Sequence, residues 1–211
     1  MTAKEQLGQG LALLGIQLTG ETVARLSAYV SLLGKWNRIY NLTAIREPGK
    51  IVSHHVLDSL AVLSHLNADT IADIGSGAGL PGIPIAVAKP DVRVVLVEVN
   101  HKKSAFLRQA MAELRLDNVE VVTERAEKWQ PSQRFGVVIS RAFSDLASFV
   151  EIAGHLCRPD GVLLAMKGLY PHEELSQLPA EIKLQSVETI DVPGLRAARH
   201  LVIMRPGTSP R

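Results

Sequence analysis

Asp73-Ile74-Gly75-Ser76-Gly77-Ala78-Gly79-Leu80-Pro81-Gly82 is the segment of this 211-residue chain whose spacing alone argues for chemistry. It leaves an apolar, strand-like stretch beginning at Ile71 and enters a helix near Pro81. Glycine lacks the Cβ that would block a tight turn or a close approach of backbone N–H groups to a ligand, and proline suits the first turn of a helix. The positive end of that helix faces whatever occupies the loop. Gly77-x-Gly79-x-x-Gly82 fits a dinucleotide fingerprint, and Glu98 follows the next apolar run, where a ribose-binding acid belongs. Asp73 discriminates between ligands. A carboxylate beside the loop repels a pyrophosphate, whereas S-adenosylmethionine presents a sulfonium and an ammonium there. The loop therefore reads as a methyl-donor site with Asp73, Gly75, Gly77 and Glu98 as candidates, against the alternative of a glycine-rich turn that binds nothing.

Further candidates follow from strand ends, because ligands of open parallel sheets bind at the carboxyl ends of the strands. Gly75, Glu98, Glu127, Arg141 and Lys167 should then share one rim. Glu98 is placed either to accept from both ribose hydroxyls or to be a solvated strand-end acid. Ala126-Glu127 offers an amide and a carboxylate to the edge of an adenine. Arg141 can pair with a cofactor carboxylate, bind an RNA phosphate or stack on a base; its structural alternative is an ion pair with Asp145 or Glu127. Lys167-Gly168 is a phosphate ligand or a solvated lysine. His54 and His55 are adjacent, so on a helix they point about 100° apart and do not share a metal ion. No metal site is expected. His101-Lys102-Lys103 and Arg108 read as a solvated helix face that can border an RNA site.

The elements that must position these groups change character along the chain. Up to about residue 66 the apolar period is helical: Leu7, Leu11 and Leu14, then Val23, Leu26, Val30, Leu33 and Trp36, with Thr19 and Glu21 at a helix start. A third helix is expected from Lys50 to Leu66 after Glu47-Pro48-Gly49, with Val52, Val56, Leu60 and Leu63 inward. From Thr70 onward, short β-branched runs at 92–97, 119–122, 137–140 and 161–166 alternate with helical segments, which means a parallel sheet covered by helices. Segments 182–190 and 200–204 flank Asp191-Val192-Pro193-Gly194 as an antiparallel pair closing the sheet. The fold class is α/β, a Rossmann-like class I methyltransferase sheet, mostly parallel with an antiparallel last strand. Residues 1–66 form an N-terminal helical cap and 67–211 the donor-binding domain.

With 46% hydrophobic and 21% charged residues the composition is that of a folded globular protein. A net charge of only +2 requires that any nucleic acid be held by a local basic face. Cys157 is the single cysteine, which excludes an intramolecular disulfide and a structural zinc pair; it reads as a small buried filler. No signal-peptide pattern or membrane-spanning run is visible, so a cytoplasmic location without membrane attachment is expected, and the sequon Asn41-Leu42-Thr43 carries no weight.

The acceptor is narrowed by elimination. Methylation at a pyrimidine C5 needs a cysteine beside the donor, and Cys157 precedes the fifth strand, away from the rim. Exocyclic amines are usually served by Asn/Asp-Pro-Pro-aromatic after the fourth strand, where this chain has Ser140-Arg141-Ala142-Phe143. A guanine N7 has an in-plane lone pair and no proton to lose, so positioning suffices and no general base is needed. Small-molecule methyltransferases share the same rim features, and three rivals stay open: such an enzyme, an NAD-dependent oxidoreductase, and a non-catalytic RNA-binding module.

Trp36-Asn37-Arg38-Ile39-Tyr40-Asn41-Leu42-Thr43-Ala44-Ile45, His55-Val56-Leu57-Asp58-Ser59-Leu60, the glycine loop and Ser140-Arg141-Ala142 resemble the bacterial small-subunit ribosomal RNA guanine-N7 methyltransferase family, formerly called glucose-inhibited division protein B. The similarity spans nearly the whole chain, and the Trp-Asn and Ser-Arg-Ala segments are more specific than the loop. The resemblance implies S-adenosylmethionine-dependent methylation of one guanine N7 in 16S rRNA, naked or in the small ribosomal subunit. It also implies that Gly75, Leu80, Ala126, Glu127 and Arg141 contact the donor. Arg141, Lys167 and Asn41 are the candidates for positioning the reactants. Asn37, Asn41 and Arg46 either line the entrance between cap and sheet or cap a helix end and tie a loop together. Trp36 reads as packing, the tail 206–211 as disordered without a role, and the protein as a monomer.

Overall fold

The computed structural model describes residues 2–141, 143 and 145–207. Ala142 and Ser144 of the segment after the fourth strand, and residues 208–211 of the tail, lie outside the described residues.

Helix α1 (Ala3–Leu13) starts at a capping box in which the Thr2 hydroxyl accepts from Glu5 N and the Glu5 carboxylate accepts from Thr2 N. Helix α2 (Gly20–Tyr40) starts at Thr19, whose hydroxyl accepts from Thr22 N, and ends at Asn41 in the left-handed region (φ 49°). Leu7, Leu11, Leu26, Val30 and Leu33 are buried as their spacing requires; Leu14, Val23 and Trp36 pack against the same core half-buried.

The single third helix expected from Lys50 to Leu66 is instead broken. An α-turn, α3 (Pro48–Ile51), opens into a π-helical stretch Val52–Leu57, followed by a short α4 (Asp58–Leu60) and a 3₁₀ turn Leu63–His65. The wider π turns bring an extra residue onto the inner face. Val52, Val56 and Leu60 are buried as expected, but so are Ser53, His55 and Asp58, while Leu63 is half-exposed and Val62 and Leu66 take the inward places.

Seven strands follow: β1 (Thr70–Ile74), β2 (Arg93–Val97), β3 (Val119–Val122), β4 (Phe135–Ser140), β5 (Cys157–Lys167), β6 (Ile182–Thr189) and β7 (His200–Pro206). Their order is β3-β2-β1-β4-β5-β7-β6, with β1 to β5 parallel and β7 antiparallel to both neighbours. The mostly parallel sheet and antiparallel final pair match the sequence reading, except that β5 begins at Cys157 rather than Gly161. Between them run α5 (Gly82–Ala88), α6 (His101–Glu113), α7 (Leu146–Ala153) and α8 (His172–Ser176). The strand order reverses between β1 and β4, which opens a crevice at their carboxyl ends.

Alternation along the strands divides the interior into two cores. Ile71, Val94, Leu96, Val137, Ile139, Leu164 and Leu201 face one side and merge with Leu7, Leu11, Leu26, Val30 and Leu33 of the cap. Ala72, Ile74, Val95, Val97, Val138, Leu163 and Val202 face the other side, against Leu146, Phe149 and Ala153 of α7. The helical segment 1–66 thus shares one continuous core with the sheet. Phe106 of α6 sits fully buried at that junction, with its ring centroid 6.5 Å from Tyr29 and 5.6 Å from Trp36, both on α2. Trp36 is therefore a packing residue.

Because cap and sheet share a core, Phe106→Ala is expected to cost the whole molecule about 3–5 kcal/mol. Urea unfolding followed by far-UV circular dichroism and by tryptophan fluorescence should give one coincident transition at a lower midpoint. Two separated transitions would show the cap to be cored on its own.

Candidate active site

The glycine loop turns sharply after β1, and it is held from several sides. Gly75 N and Ser76 N both donate to Val97 O (2.9 and 3.2 Å), and the Ser140 hydroxyl donates to Ile74 O (2.7 Å). Gly77 has φ +57°, and a Cβ built there meets only Gly75 O, at 3.8 Å. Its missing side chain therefore faces open space, where a ligand fits. The Glu98 carboxylate, almost wholly buried, accepts from Gly77 N through Oε2 and from Asn100 N through Oε1, each at 2.8 Å. From the cap, the fully buried Tyr29 hydroxyl donates to Ala78 O (2.6 Å), and burial raises its pKa far above the ordinary phenol value.

Asp73 is placed under the loop, not beside the ligand space. In register it lies between Leu96 and Ile139, so the period of two sends its side chain to the cap-side core with Ile71. There Oδ2 accepts from Gly82 N (2.9 Å), while Oδ1 has no partner among the described residues. Burial raises its pKa to about 7, against the lowering effect of the Gly82 amide. The carboxylate that sequence reasoning set against the donor's positive groups is here the brace for the first turn of α5.

Three cavities run along the rim. The first, of about 190 Å³, has apolar walls from Ile74, Val97, Ala126, Phe143 and Ile152 and carries Gly75, Glu98 and Glu127 at its edges. The second, of about 160 Å³, lies between the loop and the cap, walled by Gly75, Ser76, Gly77, Leu80, Leu42, Thr43 and Arg141. Gly75 is common to both. The third, of about 310 Å³, shares Arg141 with the second and is lined by Ile45, His54, His55, Asp58, Met166, Lys167, Gly168 and Arg199. Gly75, Gly77, Leu80, Glu98, Ala126, Glu127, Arg141 and Lys167 all meet on this one rim.

Arg141 takes Asp58 as an ion-pair partner. Its Nη1 lies 2.9 Å from Asp58 Oδ2 and donates also to His54 O (3.2 Å), and its Nη2 lies 3.3 Å from His55 Nδ1. Arg199, from the turn before β7, donates through Nε to the other Asp58 oxygen at 2.9 Å. One buried carboxylate thus holds two guanidinium groups, and both arginines line the third cavity. His55 Nε2 lies 2.7 Å from the Thr43 hydroxyl. Burial, and then the Arg141 charge, push the His55 pKa down to about 4, so the imidazole is neutral at pH 7.

The remaining candidates divide. Asn41 caps α2, its Oδ1 accepting from Arg46 Nη2 (2.8 Å). Asn37 is buried, donates to Ile45 O (3.0 Å) and accepts from Thr43 N (2.9 Å), tying the 41–46 loop. Neither asparagine lines these cavities, so both take the loop-tying alternative. Lys167 lines the third cavity but is engaged by Glu174 at 2.7 Å and by Phe143 O at 3.3 Å, so it is not a solvated cation awaiting a phosphate. Glu127 is partly exposed and 3.5 Å from Arg125. Lys102 is exposed and Lys103 half-buried on α6, and Arg108 donates to Thr123 Oγ1 (2.7 Å). Cys157 is buried at the opposite end of the sheet, with its thiol pushed up to about 12 by burial. Among the described residues no cluster of His, Cys, Asp and Glu is arranged to hold a metal, and no helix is long and apolar enough to cross a membrane.

Sequence reasoning missed Asp58, Arg199, Tyr29 and Thr43. Asp58 had a signal, since it is a carboxylate inside an inward-facing apolar pattern. Arg199 had none, because nothing local ties a loop arginine to a residue 141 positions away.

Comparison with known proteins bears on this arrangement. A family model described as GidB, rRNA small subunit methyltransferase G, matches residues 22–202. The chain is 55% identical to the ribosomal RNA small subunit methyltransferase G of Nitrosospira multiformis, covering 97% of this chain and 98% of that protein. It is 52% identical to the protein of the same name from Laribacter hongkongensis, covering 96% and 98%. Among solved structures, the O-methyltransferase TomG from Streptomyces achromogenes superposes with a TM-score of 0.61 at 16% identity, covering 98% and 99%. An O-methyltransferase from Bacillus cereus gives 0.60 at 17% identity, covering 85% and 90%. At these identities the structural likeness speaks for the fold.

Two outcomes follow from the buried acids. Asp58→Ala leaves two arginines facing each other and should cost about 3 kcal/mol, at the low end for a broken buried pair because both arginines keep some water. Asp73 has its folded-state pKa raised above the ordinary value of 3.8, so its contribution is intact near pH 4 and is lost as pH rises toward 7. Asp73→Asn does not titrate. Urea midpoints of parent and variant should therefore diverge in favour of the variant between pH 4 and 7; a gap that stays constant with pH would mean the carboxylate is not desolvated.

Proposed function

Because the chain belongs to the rRNA small subunit methyltransferase G family, and so is an S-adenosylmethionine-dependent methyltransferase of ribosomal RNA, we propose that it methylates the N7 of one guanine in 16S rRNA by direct in-line transfer without a general base. Family membership removes the NAD-dependent oxidoreductase and the non-catalytic module from consideration. The observation that carries the finer reading is the row of three cavities joined at Gly75 and Arg141.

The residues present fit the donor. The apolar walls of the first cavity suit a flat adenine, with Ala126 and Glu127 at its edge. Glu98 uses one lone pair on each oxygen for Gly77 N and Asn100 N, and a carboxylate has about four such sites, so it retains capacity for ribose hydroxyls. The second cavity, with Gly75, Gly77, Leu80, Thr43 and Arg141, takes the amino-acid end of the molecule. Asp73 acts through the loop by fixing Gly82. When bound, S-adenosylmethionine supplies an electrophilic methyl on a cationic sulfur.

The third cavity then receives the guanine. Its Asp58, Arg141 and Arg199 are locked together, and His55, with its pKa pushed down to about 4, is a weak base. A guanine N7 attack needs none. Positive charge shifts within the site without any net change, so the protein has to align two reactants and exclude water. Arg141, at the wall between donor and acceptor cavities, touches both and is the positioning residue of the transfer; Lys167, braced by Glu174, shapes the far wall. The protein would act as a monomer in the cytoplasm.

The test is transfer of labelled methyl from S-adenosylmethionine to small ribosomal subunits lacking the modification, followed by nucleoside analysis. Label is expected in 7-methylguanosine; label in another nucleoside, or none in RNA, overturns the reading. Gly77→Val places a side chain into the ligand space from a left-handed backbone, and calorimetry should show donor affinity falling by more than about tenfold. Arg141→Lys keeps the charge, loses the planar fork, and should lower kcat.

A further inference from the structure

A further cavity of about 530 Å³ lies beside the proposed acceptor cavity, and the two share His54 and Arg199 as walls. It is formed where the α3 and π-helical segment faces the turn before β7. Lys50 and Ser53 stand on one side, Arg196 and Arg199 on the other, and Glu47 is the acid among its lining residues. Lys50 is 3.1 Å from Glu47, with both side chains more than half exposed. Such a pair contributes little and exchanges readily for a stronger anion. Arg196 is exposed and has no hydrogen-bond or ion-pair partner among the described residues. Asp58 orients Arg199 from behind, at the threshold between the cavities. Three cations against one acid form a strong local excess in a chain whose total net charge is +2.

Connectivity of a polynucleotide makes this excess meaningful. A nucleotide in the acceptor cavity carries a phosphate on each side, so its strand continues past the mouth of the cavity, and the groove that shares His54 and Arg199 with that cavity lies alongside. We propose that the groove carries the phosphodiester backbone of the RNA strand flanking the target guanine, with Arg196 and Lys50 contacting successive phosphates and Arg199 contacting the phosphate at the threshold. No Phe, Tyr or Trp is among its described walls, so the contacts fall on the backbone and position the strand without reading its sequence. The inference rests on the reading of the third cavity as the acceptor site.

The experiment compares Lys50→Glu, Arg196→Glu and a control, Lys183→Glu, for methyl transfer to unmodified small ribosomal subunits over a range of salt. Lys183 lies on β6 at the end of the sheet opposite the rim. Each groove variant should raise KM for subunits about tenfold and reduce the salt slope by about 1, with kcat and donor affinity unchanged. The control should match the parent. A benzophenone placed at position 196 should crosslink to 16S rRNA. Groove variants that match the control, or a crosslink to a ribosomal protein alone, overturn the groove while leaving the methylation reading standing. A parent enzyme that labels no RNA overturns the reading itself.

Discussion

The arrangement at the rim depends on one buried carboxylate. Asp58 is about 1% exposed and receives Arg141 from the end of β4 on one oxygen and Arg199 from the turn before β7 on the other, each at 2.9 Å. A carboxylate taken out of water costs several kcal/mol unless its partners are close and well directed, and removing a partner costs more than the pair contributes. The cap segment, the middle of the sheet and the antiparallel strand β7 are therefore pinned to one point, and the guanidinium groups that line the acceptor cavity are fixed in place. Asp58 reaches that point because the π-helical turns before it rotate an extra polar residue inward. A regular α-helix over the same residues would present a purely apolar stripe there.

The donor loop shows the same economy by other means. Its left-handed glycines turn the chain so that the N–H groups of Gly75, Gly77 and Gly79 each meet a protein acceptor, and each neighbouring layer supplies one restraint: Glu98 on Gly77, Tyr29 on Ala78, Asp73 on Gly82, Ser140 on the end of β1. The acids that the sequence pattern assigns to the ligand, Asp73 and Glu98, are thus first used to hold the loop. For Glu98 the two uses are compatible, because its carboxylate still borders the first cavity. For Asp73 they are not, since the side chain is sealed in the core with a pKa raised to about 7 by burial.

Charge is distributed in keeping with a substrate much larger than the site. The whole chain is nearly neutral, and the first two cavities mix apolar walls and loop glycines with Glu98, Glu127 and Arg141. Arg141 and Arg199 line the third cavity, and Arg199 is joined by Arg196 and Lys50 in the groove beside it.

The sequence by itself determined the fold class, the donor loop and the rim. Those signals are local: the change from helical to strand period near Thr70, the glycine spacing, and the rule that strand ends converge. Gly75, Gly77, Glu98, Ala126, Glu127, Arg141 and Lys167 follow from them, Leu80 follows from the family resemblance, and all of them share one rim. Only the tertiary structure decided which partner each charged group takes. Arg141 takes Asp58, Lys167 takes Glu174, Asn37 and Asn41 turn to the loop between them and Arg46, and Asp73 faces the core. The physical reason is that an ion pair or hydrogen bond is selected by distance and burial in the folded state, across separations as large as the 141 residues between Asp58 and Arg199, which no local period encodes.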